Sequence, residues 1–168
     1  MSETYQEIVE GETLLRLPPG ERHERVLSRL HVRVANCLLG LKTTRLLPPR
    51  SVVQLSAGTL LRPDLALVTA ATNKLWLVAE VISSDDHHPD TVAKKMIYEE
   101  FKVPRVWMVD PRYDNVEVYH STQYGMSLKQ ILAGREFLVE PLLPGFKQAI
   151  HELFAGGLSA DELKKLDF

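Results

Sequence analysis

Two carboxylates on what read as neighbouring strands constrain this chain more than any other feature. Leu61–Val68 and Leu75–Ile82 are rich in strand formers and flank Ala70–Ala71–Thr72–Asn73–Lys74, a polar loop of hairpin length. With the turn centred on Thr72, Val68 pairs with Trp76, Ala66 with Val78, and Asp64 with Glu80. Directly opposed residues on one face have Cβ atoms about 4.5–5.5 Å apart. Carboxylates that close raise one another's pKa unless a cation lies between them, and oxygen-only ligands favour a hard ion such as Mg²⁺ or Mn²⁺. The competing reading is a salt bridge that makes burial of Glu80 tolerable, with Arg62, Lys94 or Arg105 as partner.

The chain of 168 residues is long enough for one domain with a real core, and no linker or internal repeat divides it, so 1–168 is read as a single domain. A lone Cys37 in an apolar run excludes an intramolecular disulfide or a multi-cysteine zinc site and is expected as a buried core thiol. The first residues have neither a basic start nor an apolar h-region, and no apolar stretch reaches membrane-spanning length. The expected compartment is the cytoplasm, with no membrane partner.

A net charge of −2 argues against strong nonspecific polyanion binding, which needs accumulated Lys and Arg. Locally the balance differs. Glu21–Leu41 reads as an amphipathic helix with Val26, Leu30, Val34, Cys37 and Leu41 in one arc and Arg22, Arg25, Arg29 and Arg33 in a stripe beside it. A solvated basic flank is the favoured reading of that stripe, and a wall of a phosphate-backbone groove the alternative.

Elsewhere, Tyr5–Leu17 reads as a hairpin turning at Glu10–Gly11, and Val52–Leu55 as a strand followed by a turn at Ser56–Ala57–Gly58. Asp90 is a plausible N-cap for a helix running to about Lys102. Arg105–Val109 and Val116–Tyr119 read as strands, Leu128–Leu132 as a short helix, and Gly145–Phe154 as the opening of a C-terminal one. The order implies an α/β domain with a mixed central sheet and helices on both faces. No Gly-x-Gly-x-x-Gly or Walker loop is present.

Helix geometry separates Lys94 from Lys95. At about 100° per residue, Lys94 falls in line with Asp90 and Tyr98, toward the sheet, while Lys95 falls with Glu99 on a polar edge facing solvent. Lys94 is then either a lysine covering apolar surface with its stem or a cation that orients or deprotonates a metal-bound water, or offsets phosphoryl charge. His23 reads as a satisfied core or first-turn histidine, and the His87–His88 pair as surface residues. Ser83 and Ser84 lack the setting of a nucleophile elbow, so serine hydrolysis is not expected.

The strings Arg62–Pro63–Asp64, Ala79–Glu80–Val81–Ile82–Ser83, Asp90-x-x-x-Lys94-x-x-x-Tyr98 and Val103–Pro104–Arg105–Val106–Trp107–Met108–Val109–Asp110–Pro111 together resemble the Uma2 family, formerly a domain of unknown function, within the PD-(D/E)XK superfamily. Glu7–Ile8–Val9–Glu10–Gly11–Glu12 with His23, and Leu143–Pro144–Gly145–Phe146 with Leu153–Phe154, are similar to the family's terminal signatures, so the resemblance spans nearly the whole chain. It implies a restriction-endonuclease-like fold, a mixed central sheet flanked by helices, and endonuclease cleavage of phosphodiester bonds dependent on Mg²⁺ or Mn²⁺. The implied partner is nucleic acid, DNA by preference, with a homodimer as a reasonable arrangement for cutting two strands. Carried over residue by residue, Asp64 and Glu80 bind the metal with the Val81 carbonyl, and Glu7 is a weaker candidate ligand. Ile82 stands where the superfamily pattern has lysine, and the resemblance implies Lys94 as its replacement. Ser84 replaces the family's usual proline after Ser83. The alternative is a noncatalytic scaffold or regulatory binding module of the same fold.

Overall fold

The structure, a computed structural model, describes residues 4–18, 20–82 and 88–156. Chain order begins with β1 (Tyr5–Val9) and β2 (Glu12–Arg16), a hairpin closed at Glu10 and Gly11, whose φ of 50° and 82° give the turn the twist that antiparallel strands need. Then come α1 (Glu21–Cys37), β3 (Thr44–Leu46), β4 (Val53–Ser56), β5 (Thr59–Leu61), β6 (Leu65–Thr69) and β7 (Leu75–Val81). Helix α2 (His88–Glu100) leads into β8 (Arg105–Asp110), β9 (Asn115–Thr122), β10 (Gly125–Ala133), β11 (Phe137–Val139), β12 (Lys147–Ala149) and α3 (Ile150–Leu153).

A six-stranded sheet in the order β10-β9-β8-β7-β6-β3 forms the centre, antiparallel throughout except between β7 and β8. That one parallel pair needs a crossover, and α2 supplies it. A second sheet runs β2-β1-β5-β4, and β11 pairs with β12 alone. Alternation along the strands sorts side chains to two faces. Leu65, Leu67, Leu77, Ala79, Trp107 and Val109 pack under α1 and α3, where Trp107 stacks on Phe146 with ring centroids 5.4 Å apart. Ala66, Val78, Val106 and Met108 point the other way, beneath Tyr98 of α2 and beneath Val9, Leu55 and Leu61 of the smaller sheet. Mixed sheet and helices on both faces are therefore as expected.

The hairpin register also holds through Leu65↔Ala79, Ala66↔Val78 and Leu67↔Leu77, and continuing it by one residue sets Asp64 opposite Glu80. It does not hold at the turn, where a bulge pairs Val68 with Leu75 instead of Trp76. Asn73, at φ 56°, donates its N–H to the Thr69 carbonyl at 2.8 Å and closes the loop one residue early.

All four expected helices differ from the reading of the sequence. Leu128–Leu132 lies within β10, because pairing with β9 satisfies its backbone groups where a lone turn of helix could not. Gly145–Phe154 divides into β12 and a single helical turn, the first part taken up by pairing with β11. Helix α2 begins at His88, so Asp90 falls inside its first turn and does not cap it. Its far end is a Schellman arrangement: Lys102 takes a φ of 55°, its N–H donates to the Glu99 carbonyl at 3.1 Å, and the Val103 N–H to that of Tyr98 at 3.0 Å.

Helix α1 ends at Cys37, short of Leu41, and Cys37 is half-buried, its thiol donating to the Val34 carbonyl at 3.0 Å. Much of the arginine stripe is structural. Arg22 pairs with Asp114 at 2.6 Å, Arg25 donates to the Gly156 carbonyl at 2.8 Å, and Arg29 donates to the carbonyls of Leu153 and Ala155 at 3.3 and 2.8 Å. Arg33 is exposed. Arg29→Met should accordingly lower stability by about 1 kcal/mol in urea unfolding. A variant of unchanged stability would show that these contacts are not structural and restore the groove reading of the stripe.

Candidate active site

On the second face of the central sheet, β1, the segment before β6, β7 and α2 meet at a cluster of charged groups. There Glu7, Asp64 and Glu80 are 1, 3 and 6% exposed. Asp64 Oδ2 accepts the Val81 N–H at 2.8 Å, which ties the end of one strand to the next. One turn apart on α2, Lys94 and Tyr98 reach the same carboxylate: Tyr98 Oη donates to Glu80 Oε1 at 2.5 Å, and Lys94 Nζ to Glu80 Oε2 at 3.3 Å. Lys94 Nζ also lies 3.1 Å from Glu7 Oε1. Glu7 is held on both oxygens, by Arg16 Nε at 2.8 Å and by the Arg62 N–H at 2.8 Å. Thus Asp64, Glu80, Lys94, Glu7 and the Val81 backbone occupy one buried patch.

Of the cations considered as partners for Glu80, Lys94 is the one in contact. Arg105 pairs with Glu140 at 3.1 Å, and the Arg62 guanidinium donates to the Arg50 carbonyl at 3.2 Å. Lys95 points away from the carboxylates, as the helical angle requires, but it is not in open solvent. Half-buried, it reaches Tyr119 Oη at 3.3 Å and lies over that ring at 5.2 Å, because β9 passes beneath this edge of the helix. Ser83, Ser84, His87 and the side chain of His88 lie outside the described residues.

Two members of the patch escape a reading of the sequence. His23, in the first turns of α1, is 7% exposed with Nε2 3.3 Å from Asp64 Oδ2; its place on the apolar side was legible, its partner was not. Arg50 sits in the turn after Pro48–Pro49 with Nε 3.3 Å from Asp64 Oδ1 and a terminal nitrogen on Glu24. No periodicity marks a turn residue, so nothing in the sequence pointed to it. Tyr5 stands nearby with its ring 6.0 Å from the Arg50 guanidinium carbon.

Burial raises the Glu80 carboxyl to about 7 despite the Lys94 ammonium, with the charges of Asp64 and Glu7 adding to the rise. Burial also opposes ionisation of Asp64, but the hydrogen bond and charge of His23 outweigh it and hold that carboxyl below its usual range. Conversely, burial would lower His23, and Asp64 raises it. For Lys94, burial disfavours the ammonium while Glu80 and Glu7 more than compensate. Two acids in one patch are thus shifted in opposite directions, Glu80 upward by burial and Asp64 downward by His23.

Glu80 therefore binds its proton more tightly folded than unfolded. Its stabilising contribution is full below about 4.5 and disappears as pH rises to about 7. Asp64 works in the opposite sense, its contribution present above 3.8 and lost in stronger acid. With EDTA present, stability should decline across the interval governed by Glu80, and Glu80→Gln should flatten that decline. Urea unfolding at stepped pH measures it; an identical slope in the variant would show that Glu80 does not titrate there.

Two carboxylates with a neighbouring main-chain carbonyl are a donor set suited to a hard divalent cation. Asp64 Oδ1, buried without a hydrogen-bond partner, is an acceptor still open. Among the described residues no three His, Cys, Asp or Glu side chains come together in metal-holding geometry, so main chain and water would complete the set.

A mixed sheet crossed over by one helix, with its acids at the junction of sheet and helix, is the restriction-endonuclease-like architecture. The sequence profile of Uma2, described as "Putative restriction endonuclease", matches residues 2–151, and the chain belongs to that family. In three dimensions it is similar to a crystal structure described as a putative nuclease belonging to DUF820 from Anabaena variabilis, with a TM-score of 0.73, 14% identity and 89% of each chain covered. No curated protein matches the sequence. Among the described residues no helix is long and apolar enough to cross a membrane.

Proposed function

We propose that this protein is an endonuclease that hydrolyses phosphodiester bonds of DNA with Mg²⁺ or Mn²⁺, working as one domain through Asp64, Glu80 and Lys94. The observation that carries the reading is the burial of Asp64 and Glu80 beside Lys94 on a fold shared with a nuclease family. Three ionisable groups sequestered in one patch have little structural use, since apolar residues of similar volume would fill the space at less desolvation cost.

Asp64 and Glu80, with the Val81 carbonyl, would hold the divalent ion, which polarises the phosphate oxygens when bound. Glu7 is committed on both oxygens, so its part is to anchor Lys94 more than to ligate metal. Tyr98, bonded to Glu80 Oε1, fixes the orientation of that carboxylate. Lys94, flanked by two acids, remains an ammonium and offsets the negative charge that grows on the phosphoryl oxygens. Water adds at phosphorus, the bond to the leaving oxygen breaks, and that oxygen takes up a proton.

Ile82, buried in the apolar layer, favours a second reading in which the fold persists as a noncatalytic scaffold or regulatory module. Incubating the purified protein with plasmid, single-stranded DNA and RNA in Mg²⁺ or Mn²⁺ separates the two. Cleavage of DNA that EDTA abolishes supports the nuclease. No cleavage of any substrate, with no Mn²⁺ bound, supports the scaffold.

A further inference from the structure

We infer that Arg50 is the phosphate-binding residue of this site, the guanidinium that grips the diester beside the Asp64 carboxylate. The inference rests on the nuclease reading above and adds a substrate contact to it.

Arg50 is built into place by the same three residues that carry the metal aspartate. Its N–H donates to the Pro63 carbonyl at 3.1 Å, its carbonyl accepts from the Arg62 guanidinium at 3.2 Å, and its Nε lies 3.3 Å from Asp64 Oδ1. These contacts hold the backbone at a φ of 56°, a region that L side chains seldom occupy and that is enriched at ligand-binding sites. A turn needing only its shape would favour glycine there. The three contacts fix where the Arg50 side chain leaves the turn, beside Asp64.

The side chain is only partly satisfied by its neighbours. Arg50 Nε and Asp64 Oδ1 are both buried, face each other, and make no hydrogen bond. An ion pair present only for stability would align them, because an unmade bond between buried polar atoms is costly. The other contact is a partly buried hydrogen bond from a terminal nitrogen to Glu24, a carboxylate 39% exposed, and it occupies one donor of the fork. Once a divalent ion takes up the charge of Asp64, the attraction holding Nε weakens. The planar fork then has donors free for phosphate oxygens, which it matches in geometry and charge. Lys94, whose ammonium lies between Glu7 and Glu80, is a second cation at the site, a point charge without the fork.

Arg50→Gln, Arg50→Lys and Arg50→Gly separate this role from a structural one. Glycine suits the positive φ, so the third variant keeps the turn while deleting the side chain. Fluorescence anisotropy with a labelled DNA duplex in Ca²⁺, titrated with NaCl, reads the phosphate contact independently of turnover. Arg50→Gln and Arg50→Gly should weaken DNA binding roughly tenfold or more and lower the slope of log K against log salt by about one. Arg50→Lys should recover the slope but only part of the affinity, as a point charge without the fork. Mn²⁺ affinity by calorimetry should be equal or higher in all three, because a cation beside Asp64 has been weakened or removed. Wild-type binding with an unchanged slope and affinity in Arg50→Gln overturns the role of Arg50 and leaves the nuclease reading standing. A wild type that neither binds nor cleaves DNA overturns both.

Discussion

Lys94→Met should lower DNA cleavage by roughly two or more orders of magnitude, the usual cost of removing a preorganised charge stabiliser, while Lys95→Met changes it little. Methionine keeps the apolar stem that passes along α2 and deletes the ammonium that Glu7 and Glu80 share. Lys95, one residue on, spends its charge on the Tyr119 hydroxyl and ring and has no path to the carboxylates. Metal binding should survive both substitutions, since an ammonium is not a ligand. A nuclease assay in Mg²⁺ and Mn²⁺ makes the comparison. Equal activity in the two variants would refute the assignment of Lys94 as the replacement for the superfamily lysine that Ile82 displaces.

Asp64→Asn and Glu80→Gln should each weaken Mn²⁺ binding about a hundredfold or more, given that loss of even an outer-shell partner costs 10–100-fold. Their effects on the metal-free protein should differ in sign. The Asp64 carboxylate is favoured by His23 and by the Val81 N–H, so neutralising it removes attraction and destabilises. The Glu80 carboxylate is disfavoured by burial and by two neighbouring acids, so neutralising it above neutral pH relieves repulsion and stabilises. Isothermal titration reads the first effect and thermal unfolding in EDTA the second. Unchanged Mn²⁺ affinity in both variants would dispose of the metal site.

Glu80 and Asp64 show how far a local pattern reaches. Their shared face follows from strand alternation, a local property, and their register from the hairpin together with its bulge. Lys94 follows as simply, from the angle between successive residues on a helix. The same logic failed at Val68, where an asparagine in the left-handed region shortened the loop and a bulge absorbed the difference. It failed again at Leu128–Leu132, whose apolar spacing suits a turn of helix until β9 offers a full ladder of hydrogen bonds.

Sequence alone determined the fold class, through the order of its elements, and the two faces of the central hairpin and the direction of Lys94, through periodicity within a short stretch of chain. Tertiary structure decided which charges meet. Glu7 comes from a separate sheet, His23 from a helix on the opposite face, and Arg50 from a turn with no periodicity at all. Their place around Asp64 and Glu80 is set by how sheets and helices stack, and the same stacking sets the burial that raises one carboxyl while its partners lower the other. Desolvation and ion pairing are properties of the assembled interior, and no spacing within the chain encodes them.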